Sequence, residues 1–87
     1  MKYCKVGSVD LRMYYNWNMI SHEFAIMYFK LEQQGPHSEW TAVNEASVAI
    51  NSKGIIDAEP KQNNYKKEFE EWIIKEAREK FSKMTEK

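Results

Sequence analysis

Residues 21–51 read SHEFAIMYFKLEQQGPHSEWTAVNEASVAIN, and the fold depends on whether this run makes two helices or two strands. On a helix, Phe24, Met27, Tyr28 and Leu31 share one face, Ser21 caps the start, and Gly35-Pro36 is a stop signal. Ser38 then caps a second helix, with Ala42, Val43, Ala46, Ala49 and Ile50 along one side and Gly54 past its end. The rival reading makes Glu23–Glu32 and Glu39–Ile50 a β-hairpin. Phe24, Ile26, Tyr28 and Phe29 favour extended backbone, and Asn51-Ser52-Lys53-Gly54 is a turn before Ile55-Ile56. Ala, Glu, Gln, Met and Leu dominate both stretches and both ends carry punctuation, so the balance favours a helix pair over 21–52.

Toward the N-terminus, Lys2–Val6 and Val9–Trp17 read as antiparallel strands (1–18) around Gly7-Ser8, a two-residue link in which Gly supplies positive φ. In the second strand Leu11, Met13, Tyr15 and Trp17 alternate with Arg12, Tyr14 and Asn16, the period of a half-buried strand. Toward the C-terminus, residues 57–64 (DAEPKQNN) are a polar connector, and Asn63 or Asn64 is placed to cap a final helix. Tyr65, Phe69, Trp72, Ile73, Ala77, Phe81 and Met84 then recur at helical spacing, which predicts that this helix is long and amphipathic, over 65–84. The expected fold is a small α+β domain spanning 1–87: N-terminal antiparallel strands, a helical middle and a long C-terminal helix.

Composition narrows the function. The chain has 87 residues, 43% of them apolar and twelve of them aromatic, enough for one core. Basic and acidic side chains cancel at thirteen each, and they cancel locally too: five of each in residues 1–54 and eight of each in 55–87. Phosphate-binding domains usually carry a basic excess, so nucleic acid is disfavoured as a partner. A single Cys4 fits a reducing compartment, the start lacks an apolar signal region, and no apolar run is long enough to span a bilayer. These features point to a cytoplasmic protein without membrane association. Frequent Lys, Asn and Ile fit an AT-rich genome of the low-GC bacterial or phage kind.

Motifs for chemistry are not met. His22-Glu23 opens like a zinc-protease helix, but position 26 is Ile where the second His is required. His37 and Cys4 lie at spacings that fit no zinc module. Three scattered glycines form no phosphate loop, and Cys4 has no evident base. No catalytic residue, metal site or cofactor is expected.

Three binding readings remain. The favoured one is a small, non-enzymatic interaction protein that binds a protein partner and regulates or inhibits a larger macromolecular machine, as accessory products of phages and mobile elements do. Its partner-binding residues are Arg12, Tyr14 and Asn16, the outward set of the second strand, with Trp40, which lies off the apolar stripe of its helix. Tyr, Trp and Arg supply contact area and hydrogen bonds at low entropic cost, which makes them frequent at interfaces. The alternative is a nucleic-acid-binding regulator using 21–52 as a helix-turn-helix, with Glu39, Trp40, Thr41, Asn44 and Glu45 outward and Asn44 as a base contact. The third is a homodimer with the C-terminal helix as its seam.

Overall fold

The computed structural model describes residues 1–85; the expected domain over 1–87 extends two residues beyond them. Five strands, β1 (Lys2–Val6), β2 (Val9–Ser21), β3 (Phe24–Gln34), β4 (Trp40–Asn51) and β5 (Gly54–Pro60), precede one helix, α1 (Lys66–Thr85). The strands form an antiparallel meander in the order β1-β2-β3-β4-β5, curved into a half-barrel. The helix packs on β3, β4 and β5, so one face of the sheet is covered and the other is open.

The helical middle is thus overturned: residues 21–52 form a β-hairpin, and the molecule is mostly antiparallel sheet with a single C-terminal helix. The period explains why. Ala25, Met27, Phe29 and Leu31 on β3 and Ala46, Val48 and Ile50 on β4 are all at most 2% exposed, a strict alternation that a helix would scatter over all its faces. Alanine, the residue that argued most for helix, serves here as a small inner-face side chain. Burial against α1 outweighs intrinsic propensity. The turns are tight, with Gly7 at a φ of 60° between β1 and β2 and Gly54 at 121° after Ser52-Lys53. The Gly35–Glu39 turn closes on a Gly35 N–H to Glu39 C=O bond of 2.7 Å.

Other boundaries shift as well. β2 runs on to Ser21 rather than ending near 18, and Asp57–Pro60, expected as connector, belongs to β5. The remaining link is held by Asn44, which is 3% exposed on the inner face of β4. Its Nδ2 donates to Gln62 O (3.0 Å) and Asn64 O (2.8 Å), and its Oδ1 accepts from the N–H groups of Gln62 (3.0 Å) and Glu45 (2.9 Å). Asn64 does not cap the helix; its Nδ2 donates to Val43 O at 3.0 Å. Tyr65 precedes the first helical residue at a left-handed φ of 54°. Its carbonyl accepts from Phe69 N–H at 2.8 Å and its phenol donates to Gln33 Oε1 at 2.9 Å, contacts that hold a conformation non-glycine residues rarely adopt.

Along α1, Phe69, Ile73, Ala77 and Phe81 are buried at steps of four, while Trp72 is half-buried at the rim of the core. Four residues of the apolar stripe are therefore spent on the sheet rather than offered to a second copy. Among the described residues no helix is long and apolar enough to cross a membrane.

Candidate functional site

The alternation of β2 sends Leu11 and Met13 into the core, with Tyr15 and Trp17 half-buried beside them, and puts Arg12, Tyr14 and Asn16 on the open face. Trp40 reaches the same face by a different route from the one expected. It is the first residue of β4, on the open face rather than off a helical stripe. The register sets Tyr3 beside Arg12 and Arg12 beside Glu32, with Trp40 opposite Gln34 two residues further along β3.

These residues form one stacked cluster. The Arg12 guanidinium lies 4.2 Å from the Trp40 ring centroid and 5.1 Å from that of Tyr14. Its Nε donates to Glu32 Oε1 at 2.7 Å, and the Tyr3 ring leans on Trp40 with centroids 6.2 Å apart. Arg12 and Glu32 keep only 20% and 15% of their side-chain surface in water, whereas Tyr3 is 65% exposed. The guanidinium is thus less a free contact than the hub that holds two aromatic rings, Trp40 and Tyr14, with Tyr3 stacked in turn on Trp40. Partial desolvation works against its charge, but the Glu32 hydrogen bond and carboxylate outweigh that and raise its pKa further.

Asn16 stands apart from the stack. It lies opposite Tyr28 and, with Tyr14, Tyr28, Lys30, Glu32 and Glu45, borders a shallow concavity of about 560 Å³ next to the cluster. Lys61 Nζ sits 5.6 Å from the Tyr28 ring centroid and 3.4 Å from Glu45 Oε1. A hydrogen bond with Ser47 and then the Lys61 charge hold the Tyr28 phenol below its usual range. Sequence reading missed Tyr3, Glu32 and Tyr28. Tyr3 was legible, because Cys4 facing inward turns its neighbour out; Glu32 and Tyr28 were hidden by the helical reading of β3.

The other candidates are dispersed. Asn44, expected outward as a base contact, is the buried clamp of the connector, and without helices at 21–52 the recognition-helix reading loses its scaffold. His22 and His37 sit in the turns at opposite ends of β3, about 30 Å apart by strand rise, so they cannot share an ion. Cys4 is half-buried on the helix side of β1, near Glu76, whose Oε2 lies 3.6 Å from Lys2 Nζ. Burial, opposed by Lys2 and reinforced by Glu76, pushes the thiol up and keeps it protonated. Iodoacetamide near neutral pH should therefore alkylate Cys4 several-fold more slowly than a free thiol, and at the free rate in denaturing urea. A native rate equal to or above the free one would contradict this placement.

No protein-family model, curated protein or solved structure matches this chain.

Proposed function

We propose that this is a non-enzymatic interaction protein of the cytoplasm that binds a protein partner through the open sheet face and, by occupying that partner, regulates or inhibits a larger macromolecular machine. The observation that carries the reading is the Tyr3–Arg12–Tyr14–Trp40 cluster. Aromatic rings and a planar cation, already ordered by Glu32, are presented on a rigid sheet, so little side-chain entropy remains to be lost on binding.

Charge separates protein from nucleic acid as the partner. Lys5, Arg12, Lys30 and Lys61 share the open face with Asp10, Glu32, Glu45, Asp57 and Glu59, four cations against five carboxylates. A phosphate backbone gains nothing from that balance, despite the stacking surface. Cys4, held protonated, and the separated histidines give no support to a catalytic reading.

Immobilised wild-type protein in nuclease-treated lysate of its source cells should retain a stoichiometric protein. Tyr14→Ala and Trp40→Ala should weaken that capture about tenfold or more, with melting temperatures changed by only a few degrees. Ile56→Ser, on the far edge strand, should capture as wild type does. Equal retention by Tyr14→Ala, Trp40→Ala and wild type would move the binding surface elsewhere, and loss of capture on nuclease treatment would replace the protein partner with nucleic acid.

A further inference from the structure

Among the described residues, β2 beyond Met13 has no paired strand on the side away from β3. β1 pairs Lys2–Val6 with Val9–Met13 and stops there, while β2 continues to Ser21. Among the described residues no strand lies against 14–21 on that side, and α1 packs on β3, β4 and β5 instead. The backbone N–H and C=O groups pointing that way form an open ladder edge.

The sheet's other edges carry the usual defences against pairing. β1 is short and bears Lys2 and Lys5; β5 bears Asp57, Glu59 and Pro60. The open stretch of β2 reads YYNWNMIS, without a charge, a proline or a glycine, in residues that favour strands. Large apolar groups stand exposed around it: Ile20 at 54%, Tyr14 at 36%, and Met1 at 58% beside the end of β1.

We infer that this edge pairs with itself: a second copy of the chain lays its own β2 antiparallel across it, about a two-fold axis through Trp17. The residues flanking Trp17 match in character across that axis, Asn16 with Asn18 and the larger apolar or aromatic Tyr14 and Tyr15 with Ile20 and Met19, so an isologous seam pairs like with like. On the open face the axis sets Asn16 opposite Asn18 of the other copy and Tyr14 opposite Ile20, amide to amide and ring to aliphatic. On the helix side it sets Tyr15 opposite Met19 and Trp17 opposite its own mate, and these three side chains are only half-buried in a single copy. No like charges meet. Centred self-pairing of β5 would set Asp57 against its own mate, and β1 offers only five residues, two of them lysines, so the uncharged stretch of β2 is the edge best suited to a second copy. The product is a continuous ten-strand sheet with both helices on one face and both Arg12–Trp40 clusters on the other. Because the seam is only about seven residues long, the dissociation constant should be on the order of micromolar.

Sedimentation velocity over about 1 µM to 1 mM tests the seam and its register together. Wild type should pass from monomer to dimer. Asn18→Lys should shift the transition to at least ~10-fold higher concentration by placing cations at a ladder edge. Adding Asn16→Glu to Asn18→Lys should restore dimerisation, since the axis sets these two positions opposite each other, carboxylate to ammonium. Circular dichroism melts establish that each variant is folded; should Asn18→Lys not fold, Asn16→Lys tests the same contact from the other strand. Wild type remaining monomeric throughout, dimerisation indifferent to lysine at the seam, or no rescue by the charge pair would each overturn the inference.

Discussion

Phe69→Ala is expected to lower stability by about 3–5 kcal/mol, the largest loss from a single truncation in this chain. Phe69 has no exposed surface and belongs to the stripe, with Ile73, Ala77 and Phe81, that seals α1 onto the sheet. No further layer of core backs it, so the space left by the ring must be closed by α1 sinking toward β4, and tightly packed neighbours limit that movement. Folds of this size have about 5–15 kcal/mol in all, and each kcal/mol lost moves the melting temperature by about 4–8 °C. Urea unfolding with a shared slope measures the difference, and Glu79→Ala on the exposed side of α1 should stay within about 0.5 kcal/mol of wild type. A Phe69→Ala loss below about 1 kcal/mol would mean that α1 is not the lid of this core.

The second large effect is at Asn44. Its amide uses both donors and both lone pairs on fixed backbone partners, three of the four bonds reaching Gln62 and Asn64 in the link between β5 and α1. Asn44→Ala leaves those groups without that partner at a buried position, an expected cost of about 2–4 kcal/mol. Asn44→Asp keeps the shape but turns a carboxylate oxygen toward two carbonyl oxygens. The folded state should then raise the new carboxyl's pKa above its unfolded value near about 4. Stability linked to the protonated form is present below that value and is lost as pH rises through the folded pKa. The Asp variant should accordingly approach wild type in acid and fall away toward neutral pH, whereas the Ala deficit should change little with pH. Equal pH profiles for the two variants would show that the side chain does not hold those carbonyls.

Asn44 also shows what could and could not be read from the residues alone. On the expected helix Asn44 faces water, and only its burial on β4 and its hydrogen bonds reveal it as a clamp. The C-terminal helix was legible because a polar face and a stripe at steps of four leave no other period. The two faces of β2 were legible for the same reason at period two. The segment 21–51 was not, because Met27 and Leu31 belong equally to a helical face and a strand face, and Ala25 and Ala46 carry helix propensity into strands. What decided the matter was burial beneath α1, a non-local effect absent from any window of the sequence. Of the proposed binding residues, Arg12, Tyr14 and Trp40 come together in space, although Trp40 was chosen for lying off the stripe of a helix that does not form. Tyr3 meets Trp40 across two intervening strands and Glu32 meets Arg12 from 20 residues away, and no local spacing joins them.

Hydroxyl-radical footprinting of the complex with the captured partner tests most directly whether the open face is where this protein binds. The rings of Tyr3, Tyr14 and Trp40 should lose several-fold in oxidation rate on complex formation, while Trp72, on α1 at the rim of the core, should react as it does in the free protein. Protection of Trp72 with unchanged Tyr3, Tyr14 and Trp40 would place the partner on the helix side and contradict binding through the open face.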